Sequence, residues 1–294
     1  MFSRRAIYFD EVAKRRSVRA ASEWLRIASS AVDRQILQLE QQLGVDLFER
    51  TTRGLRLTAA GELFVDAVRR WRRDFEHVKS QIDDLQGLRR GEISIGLVEG
   101  ASQFLGQNLK SFRDQYPDID LRLHVAGSEA VINMVLRSEC DLGLTFNPPE
   151  SHGLRVERAL IYRLGAMMLP SHQLAARPEV GLLECAEFPL IAPDESLSLR
   201  AVINRLWHAS VGTNPRFAVV SSSVSLMKTM ILSGMGIGLL TAVDAQDEIE
   251  RGDLVFRPLS DDRVTLSTLS LISASGRTLS MAASLLLQHL SKAM

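Results

Sequence analysis

Apolar residues recur along this chain with three different periods, and each period predicts a different structure. Near the start, Ile7, Phe9, Val12 and Ala13 offer a short apolar face on a first helix over about 4–15. A second short helix carries Val18, Ala20, Ala21, Trp24 and Leu25 behind Ser17, whose hydroxyl can accept from the unpaired N–H groups of a first turn. After a tight turn at Ile27 and Ala28, Val32, Ile36, Leu39 and Leu43 recur at helical spacing over 29–43, and Gly44 can end that helix in the left-handed conformation. Two short helices joined by so short a turn predict a helix-turn-helix, whose second helix fits the DNA major groove. Leu47-Phe48 and residues 55–57 then predict a two-stranded wing, with Thr51-Thr52-Arg53-Gly54 at its tip.

From Thr58 onward the period lengthens into one long helix. Phe64, Val68, Trp71, Phe75, Val78, Ile82 and Leu85 alternate spacings of four and three, the seam of a coiled coil. About 30 residues at helical rise make a rod of roughly 45 Å. Arg69, Arg70, Arg72, Arg73, Asp74, Glu76 and Lys79 cover its outer faces. The seam predicts a dimer.

Past Gly91 the period switches again. Strands at 93–98, 119–125 and 141–146 alternate with helices at 102–116 and 128–137, an order that implies a parallel sheet with helices on both faces. Asn147-Pro148-Pro149 is expected to carry the chain to a second lobe. That lobe has strands near 160–169, 189–192, 216–220 and 237–240 and helices at 197–211 and 224–232. A strand at 264–273 and a helix at 277–292 return to the first. The expected division is a DNA-binding head at 1–58, a dimerisation helix at 59–90 and a body at 91–294. Lobe I of the body takes about 91–146 and 264–294, and lobe II about 147–263.

Charge sharpens this division. The net charge is zero, but residues 1–90 hold 18 Lys+Arg against 13 Asp+Glu, while the rest of the chain has the opposite excess. A basic head on an acidic body points nucleic acid toward the head alone. No run of about 18 apolar residues suggests a membrane span. The start carries an acidic pair where a signal peptide needs its apolar stretch, so the cytoplasm is the expected compartment. Cys140 and Cys185 lack metal-ligand spacing and read as buried thiols.

The string AASEWLRIASSAVDRQILQLEQQLGVDLFERTTRGLRLTAAGE resembles the signature of LysR-type transcriptional regulators. Ala20, Ala21, Leu25, Ala31, Val32, Arg34, Gln35, Ile36, Leu39, Glu40, Leu43, Gly44, Leu47, Phe48, Arg50, Leu57, Thr58 and Gly61 all fall in its register. The match is dense over about the first 65 residues and holds only as a pattern beyond them. The resemblance implies a winged helix-turn-helix, a dimerising linker helix and a two-lobed effector domain of the periplasmic-binding-protein type. It also implies a homodimer or homotetramer on double-stranded operator DNA, with organic acids among common effectors. RNA polymerase is a candidate further partner. Glutamine and proline are common in the family where this chain has Ser29 and Ser30, and serine where it has Asp33.

Candidate DNA-contacting residues are therefore Ser17, Arg19, Ser29, Ser30, Asp33, Arg34, Gln35, Arg50, Arg53 and Arg56. Ser29, Ser30, Asp33 and Arg34 sit where base edges are read, and the wing arginines where a phosphate backbone would run. Asp33 either closes a capping box with Ser30 or accepts from a cytosine amino group. In the body, ligands of such folds sit beyond the carboxyl ends of strands, which selects Glu99, Gly100, Ser102, Ser128, Thr145, Asn147, Ser196 and Ser223. Helix starts at Ser102 and Ser128 favour an anion, whereas Glu99 opposes one; a small polar metabolite bearing a hydrogen-bond donor satisfies both.

Other strings carry less. Gly234-Met235-Gly236-Ile237-Gly238 precedes its strand and reads as a turn, not a dinucleotide site. Ser225-Leu226-Met227-Lys228 matches a four-letter hydrolase pattern by spacing alone. No catalytic residue, metal site or cofactor is expected. The chain reads as a transcriptional regulator sensing a small molecule, not as an enzyme.

Overall fold

The computed structural model describes residues 4–51, 54–85, 91–150, 153–211, 215–260 and 266–294, with backbone alone at 73, 76, 77, 80, 81 and 83–85. The chain divides into two compact units, a head through Ile82 that also takes Arg137–Glu139, and a body of Asp83–Leu136 and Cys140–Met294. In the head, helices α1 (Arg4–Arg15), α2 (Val18–Leu25) and α3 (Ser29–Leu43) precede a wing of β1 (Phe48–Thr51) and β2 (Gly54–Leu57), then the long helix α4 (Ala59–Leu85). Ser17 caps α2 by accepting from the Ala20 N–H at 3.2 Å. Gly44 ends α3 at φ 69°.

The core of the head comes from the four helices and Leu47, namely Ala6, Phe9, Val12, Ala21, Val32, Ile36, Leu39, Leu47, Val65 and Val68, with Phe48, Leu55 and Leu57 of the wing packed against it. Two expectations shift here. Ile7 is exposed because at about 100° per residue the buried face of α1 runs through Ala6, Phe9 and Val12, and Leu43, the last residue of α3, is exposed beyond the buried Val32, Ile36 and Leu39. Phe64 and Val68, expected at the start of an intermolecular seam, pack within their own head; Phe64 meets the Phe9 ring at 5.0 Å between centroids. The remaining seam residues Trp71, Phe75, Val78 and Ile82 stay exposed, while the Leu85 side chain lies outside the described residues. Arg69 and Arg72 are not free outer charges either: each binds Asp10, at 3.0 and 2.9 Å.

Strands and helices alternate through the body as β3 (Gly91–Leu97), α5 (Ser102–Gln115), β4 (Ile119–Val125), α6 (Ser128–Leu136) and β5 (Leu142–Phe146). Next come β6 (Leu154–Tyr162), β7 (Leu164–Met168), α7 (Leu182–Cys185), β8 (Leu190–Pro193), α8 (Ser198–Val211) and β9 (Val219–Ser221). The chain closes with α9 (Val224–Leu232), β10 (Ile237–Thr241), α10 (Gln246–Glu250), β11 (Val255–Pro258), β12 (Ser267–Ala274) and α11 (Met281–Ala293). One sheet has the order β4-β3-β5-β12-β6 and the other β11-β7-β10-β8-β9. β3 pairs in parallel with β4 and β5, as right-handed βαβ connections require.

The crossing between lobes differs from expectation. Asn147-Pro148-Pro149 does not leave lobe I; it leads into β6, which pairs along its length with β12. The single strand expected at 160–169 is two strands in different sheets, and only Arg163 separates them. Apolar residues run through both strands and do not show where the chain changes sheets, although β7 is buried throughout while β6 is largely exposed. Lobe I is cored by Ile93, Ile95, Leu142, Leu144, Phe112 and Leu286, and lobe II by Leu164, Met168, Leu190, Ile203 and Leu239 among others.

Candidate functional site

The first candidate surface is in the head. Val32, Ile36 and Leu39 anchor one face of α3, which leaves Ser30 and Arg34 exposed on another. Ser29 is exposed, yet its hydroxyl shares a 2.7 Å hydrogen bond with Ser22 and so pins α2 to the start of α3. Gln35 is half-buried, accepting from Arg5 Nε at 3.2 Å and donating to Gln38. The capping box between Ser30 and Asp33 is not formed. Ala28 is the N-cap of α3 and makes no side-chain cap bond, because the helix starts two residues earlier than such a box needs.

In the wing, Arg50 lies opposite Leu55, and Arg56 lies opposite Glu49. Cross-strand partners share a face and neighbours alternate, so Arg50 and Arg56 point to opposite sides of the ribbon. Arg56 also reaches Glu49 at 3.5 Å. Arg19 is exposed and bonded to Glu23 at 3.0 Å, and Ser17 is used as a helix cap. Arg53 lies outside the described residues.

The second candidate is a cleft in the body. A narrow cavity of about 30 Å³, or about 400 Å³ when the open solvent at its mouth is counted, is lined by Val98, Gly100, Ser128, Phe146, Ser267, Pro193, Ser198, Val224, Thr241 and Asp244, among others. These residues belong to the carboxyl ends of β3, β5, β8 and β10 and to the starts of β12, α6, α8 and α9, from both lobes. Of the eight residues selected from the sequence, Gly100 and Ser128 line the cavity. Gly100 leaves no room for a side chain: a Cβ there would lie 2.2 Å from Asp244 Oδ1.

Glu99 faces neither solvent nor a surface arginine. Its Oε1 accepts from the Ser223 hydroxyl at 3.1 Å and from the Ser225 N–H at 3.0 Å, and its Oε2 accepts from the Val224 N–H at 2.9 Å. A lobe I carboxylate thus fills the N-terminus of a lobe II helix, where unpaired N–H groups and the helix dipole favour negative charge. Burial pushes the Glu99 pKa up, but hydrogen bonds from Ser225, Val224 and Ser223 outweigh it and hold the carboxyl below its ordinary value. Ser223 meanwhile caps its own helix, accepting from the Leu226 N–H.

The other four selected residues stand apart from the cavity lining. Ser102 is exposed at the start of α5. Thr145 is fully buried in β5. Asn147, at φ 48°, accepts from the Thr268 N–H at 2.8 Å and donates to the Ser267 hydroxyl, so it shapes the end of β12. Ser196 donates both its N–H and its hydroxyl to Asp194 Oδ1.

Sequence reasoning missed Thr241 and Asp244. Asp244 Oδ2 accepts from both the N–H and the hydroxyl of Thr241 at 2.8 Å. Burial outweighs those bonds and pushes its pKa up to about 6. Thr-x-x-Asp at the end of a strand was the available signal, since that spacing makes a capping box. Lys228, in the hydrolase-like string, is paired with Glu248 at 2.8 Å. Among the described residues no cluster of His, Cys, Asp and Glu could hold a metal ion.

A winged helix-turn-helix head followed by a two-lobed body with an interlobe cleft defines a ligand-responsive DNA-binding protein. Residues 4–62 match the bacterial regulatory helix-turn-helix of the lysR family, and residues 86–294 match the LysR substrate binding domain. The chain belongs to the LysR family. It is a DNA-binding transcriptional regulator with an effector-binding domain.

Among its relatives is the transcriptional dual regulator GltC of Bacillus subtilis, 30% identical over 79% of this chain and 78% of that one. The RuBisCO operon transcriptional regulator of Allochromatium vinosum is 26% identical over 84% of this chain and 82% of its own. Full-length CbnR, solved in complex with its target DNA, has the same fold at TM-score 0.70, with 21% identity and 99% of each chain covered.

Proposed function

We propose that this regulator reads its operator through Ser30, Asp33 and Arg34 on α3 and tracks the phosphate backbone with Arg19, Arg50, Arg53 and Arg56. The observation that carries this reading is the exposed first half of α3, held by a core that includes α4 and packs against the wing. Ser17, Ser29 and Gln35 set the pose of the helices. A small-molecule effector occupies the cleft between Gly100 and Ser128 of one lobe and Ser198, Val224 and Thr241 of the other. The stripe of Trp71, Phe75, Val78 and Ile82 joins two copies as a dimer, on which a tetramer and contact with RNA polymerase would build. Such a protein works where the chromosome is, in the cytoplasm, and carries out no catalysis. No helix among the described residues is long and apolar enough to cross a membrane.

Footprinting on DNA upstream of the protein's own and neighbouring genes tests operator recognition directly. Arg53→Ala is expected to weaken binding to all sequences and lower the salt slope by about one unit, whereas Ser30→Ala or Asp33→Ala changes site preference. An unchanged footprint and salt slope in Arg53→Ala overturns the wing assignment. A glutamate at Phe75 is expected to give smaller species on gel filtration, because it puts an unpaired charge into an apolar seam; wild-type mass overturns the dimer seam.

A further inference from the structure

We infer that Glu99 is a tethered stand-in for an anionic ligand, straps the two lobes together, and makes the cleft select effectors without net negative charge. This inference rests on the reading of the cleft as the effector site. Its geometry is that of a bound carboxylate: both oxygens are engaged, by two consecutive backbone N–H groups of α9 and the hydroxyl that caps the same helix. Free acids bind helix N-termini through this set of donors. Here the acid arrives on the chain itself, from the turn after β3 in the opposite lobe, so its effective concentration at the cradle exceeds that of any dilute metabolite.

The charges around the cleft act in the same direction. Among the described residues, the cavity lining holds the carboxylate of Asp244 and no lysine or arginine. Lys228, the cation whose field reaches Asp244, is already bonded to Glu248 at 2.8 Å. The starts of α6, α8 and α9 each add a partial positive charge of about half a unit, together still less than the two carboxylates. An acid in this cavity would therefore meet net repulsion. Hydroxyls of Ser128, Ser198, Thr241 and Ser267 and the free face of Asp244 suit a neutral or cationic ligand with hydrogen-bond donors.

Closure is also braced away from Glu99. Gln107 of α5 donates to Asp247 of α10 at 3.2 Å, and a Cβ at Gly127 would lie 2.9 Å from the Ser196 carbonyl oxygen. Removal of the Glu99 carboxylate should then leave a folded body with an open anion cradle, which a small soluble acid can fill.

The experiment is chemical rescue of the full-length protein with sodium acetate, with sodium chloride at the same ionic strength as control. Glu99→Ala is expected to melt below wild type, and acetate to raise its melting temperature by several degrees while leaving wild type nearly unmoved. Glu99→Gln keeps the side-chain volume and so fills the cradle itself, with an NH2 set against N–H donors; it is expected to fold, to melt below wild type and to show no acetate response, and wild-type stability in this variant overturns the strap if the alanine variant does not fold. An equal acetate response in wild type and the alanine variant, or none in either, overturns the strap. The readout needs no known effector. A metabolite screen in which nothing binds the cleft would sink the effector-site reading with the acetate result intact, and an acetate-blind alanine variant with a normal cleft ligand would sink only the strap.

Discussion

Asp10 in the head and Glu99 in the body each join segments far apart in the chain, but their partners differ in kind. Asp10, with a side chain 3% exposed, meets the full charges of Lys14, Arg69 and Arg72, and so ties α1 to α4. Burial raises its pKa, and the hydrogen bonds of Lys14 and Arg69 with the charges of Lys14 and Arg72 hold it below the usual carboxylate value. Glu99 is half-buried and, among the described residues, meets no cation, only N–H groups and a hydroxyl. A carboxylate locked by three cations makes a rigid joint, which suits a helix that positions a reading head. A carboxylate held by a helix N-terminus can be replaced by another anion or released, which suits a cleft that must open and close.

The largest expected effect tests the rigid joint. Asp10→Ala leaves two arginines facing a buried gap and should cost about 3 kcal/mol in urea unfolding, less than a fully buried pair because Lys14 and Arg72 keep contact with water. A loss below about 1 kcal/mol would make the cluster incidental. The Asp10 contribution is present above the ordinary carboxylate pKa and disappears as pH falls through its depressed folded value.

Asp244 extends the comparison to a buried carboxylate with too few partners. Its folded pKa, about 6, stands above its ordinary 3.8, so the native state takes up a proton that the unfolded chain does not. Stability therefore rises as pH falls through that window, opposite in sign to Asp10 and Glu99. Wild type should gain about 2 kcal/mol relative to Asp244→Asn between pH of about 7 and about 4.5. Parallel pH profiles for the two proteins would show that Asp244 stays ionised.

Glu40 asks whether the head, too, holds a carboxylate by N–H groups alone. Its Oε1 accepts from Leu47 and Phe48 at 2.8 and 3.1 Å, fixing the entry to the wing. Glu40→Ala should cost about 1 kcal/mol and loosen the wing, seen as faster amide exchange at Leu47 and Phe48. Protection equal to wild type would mean the strand pairing alone holds them. The smallest effect is expected at Arg19, whose pair with Glu23 is exposed on both sides. Arg19→Ala should change stability by less than about 0.5 kcal/mol while lowering DNA affinity, and a large stability loss would undo the distinction between exposed and buried ion pairs.

Much of this molecule is set by local sequence. Helices α1, α2 and α3, the wing, and the starts of α5, α6 and α9 follow from apolar spacing, Ser17, Ser223 and Gly44, because periodicity and caps act over a few residues. The three parallel strands of lobe I follow from their alternation with helices, and the strand-end rule led to Gly100, Ser128, Glu99 and Ser223 in or beside the cleft. Tertiary structure alone decided the rest. Phe64 and Val68 have the spacing of a seam, yet the head claims them, since one helix can serve two apolar partners along its length. β6 and β7 read as one strand because apolar residues run through both, and nothing local marks Arg163 as the point where the chain changes sheets. Thr145, Asn147 and Ser196 sit at strand ends but turn toward their own lobes. Only the closed cleft brought Glu99 to α9, more than 120 residues away, and hydrogen bonds across such a distance leave no periodic trace in the chain.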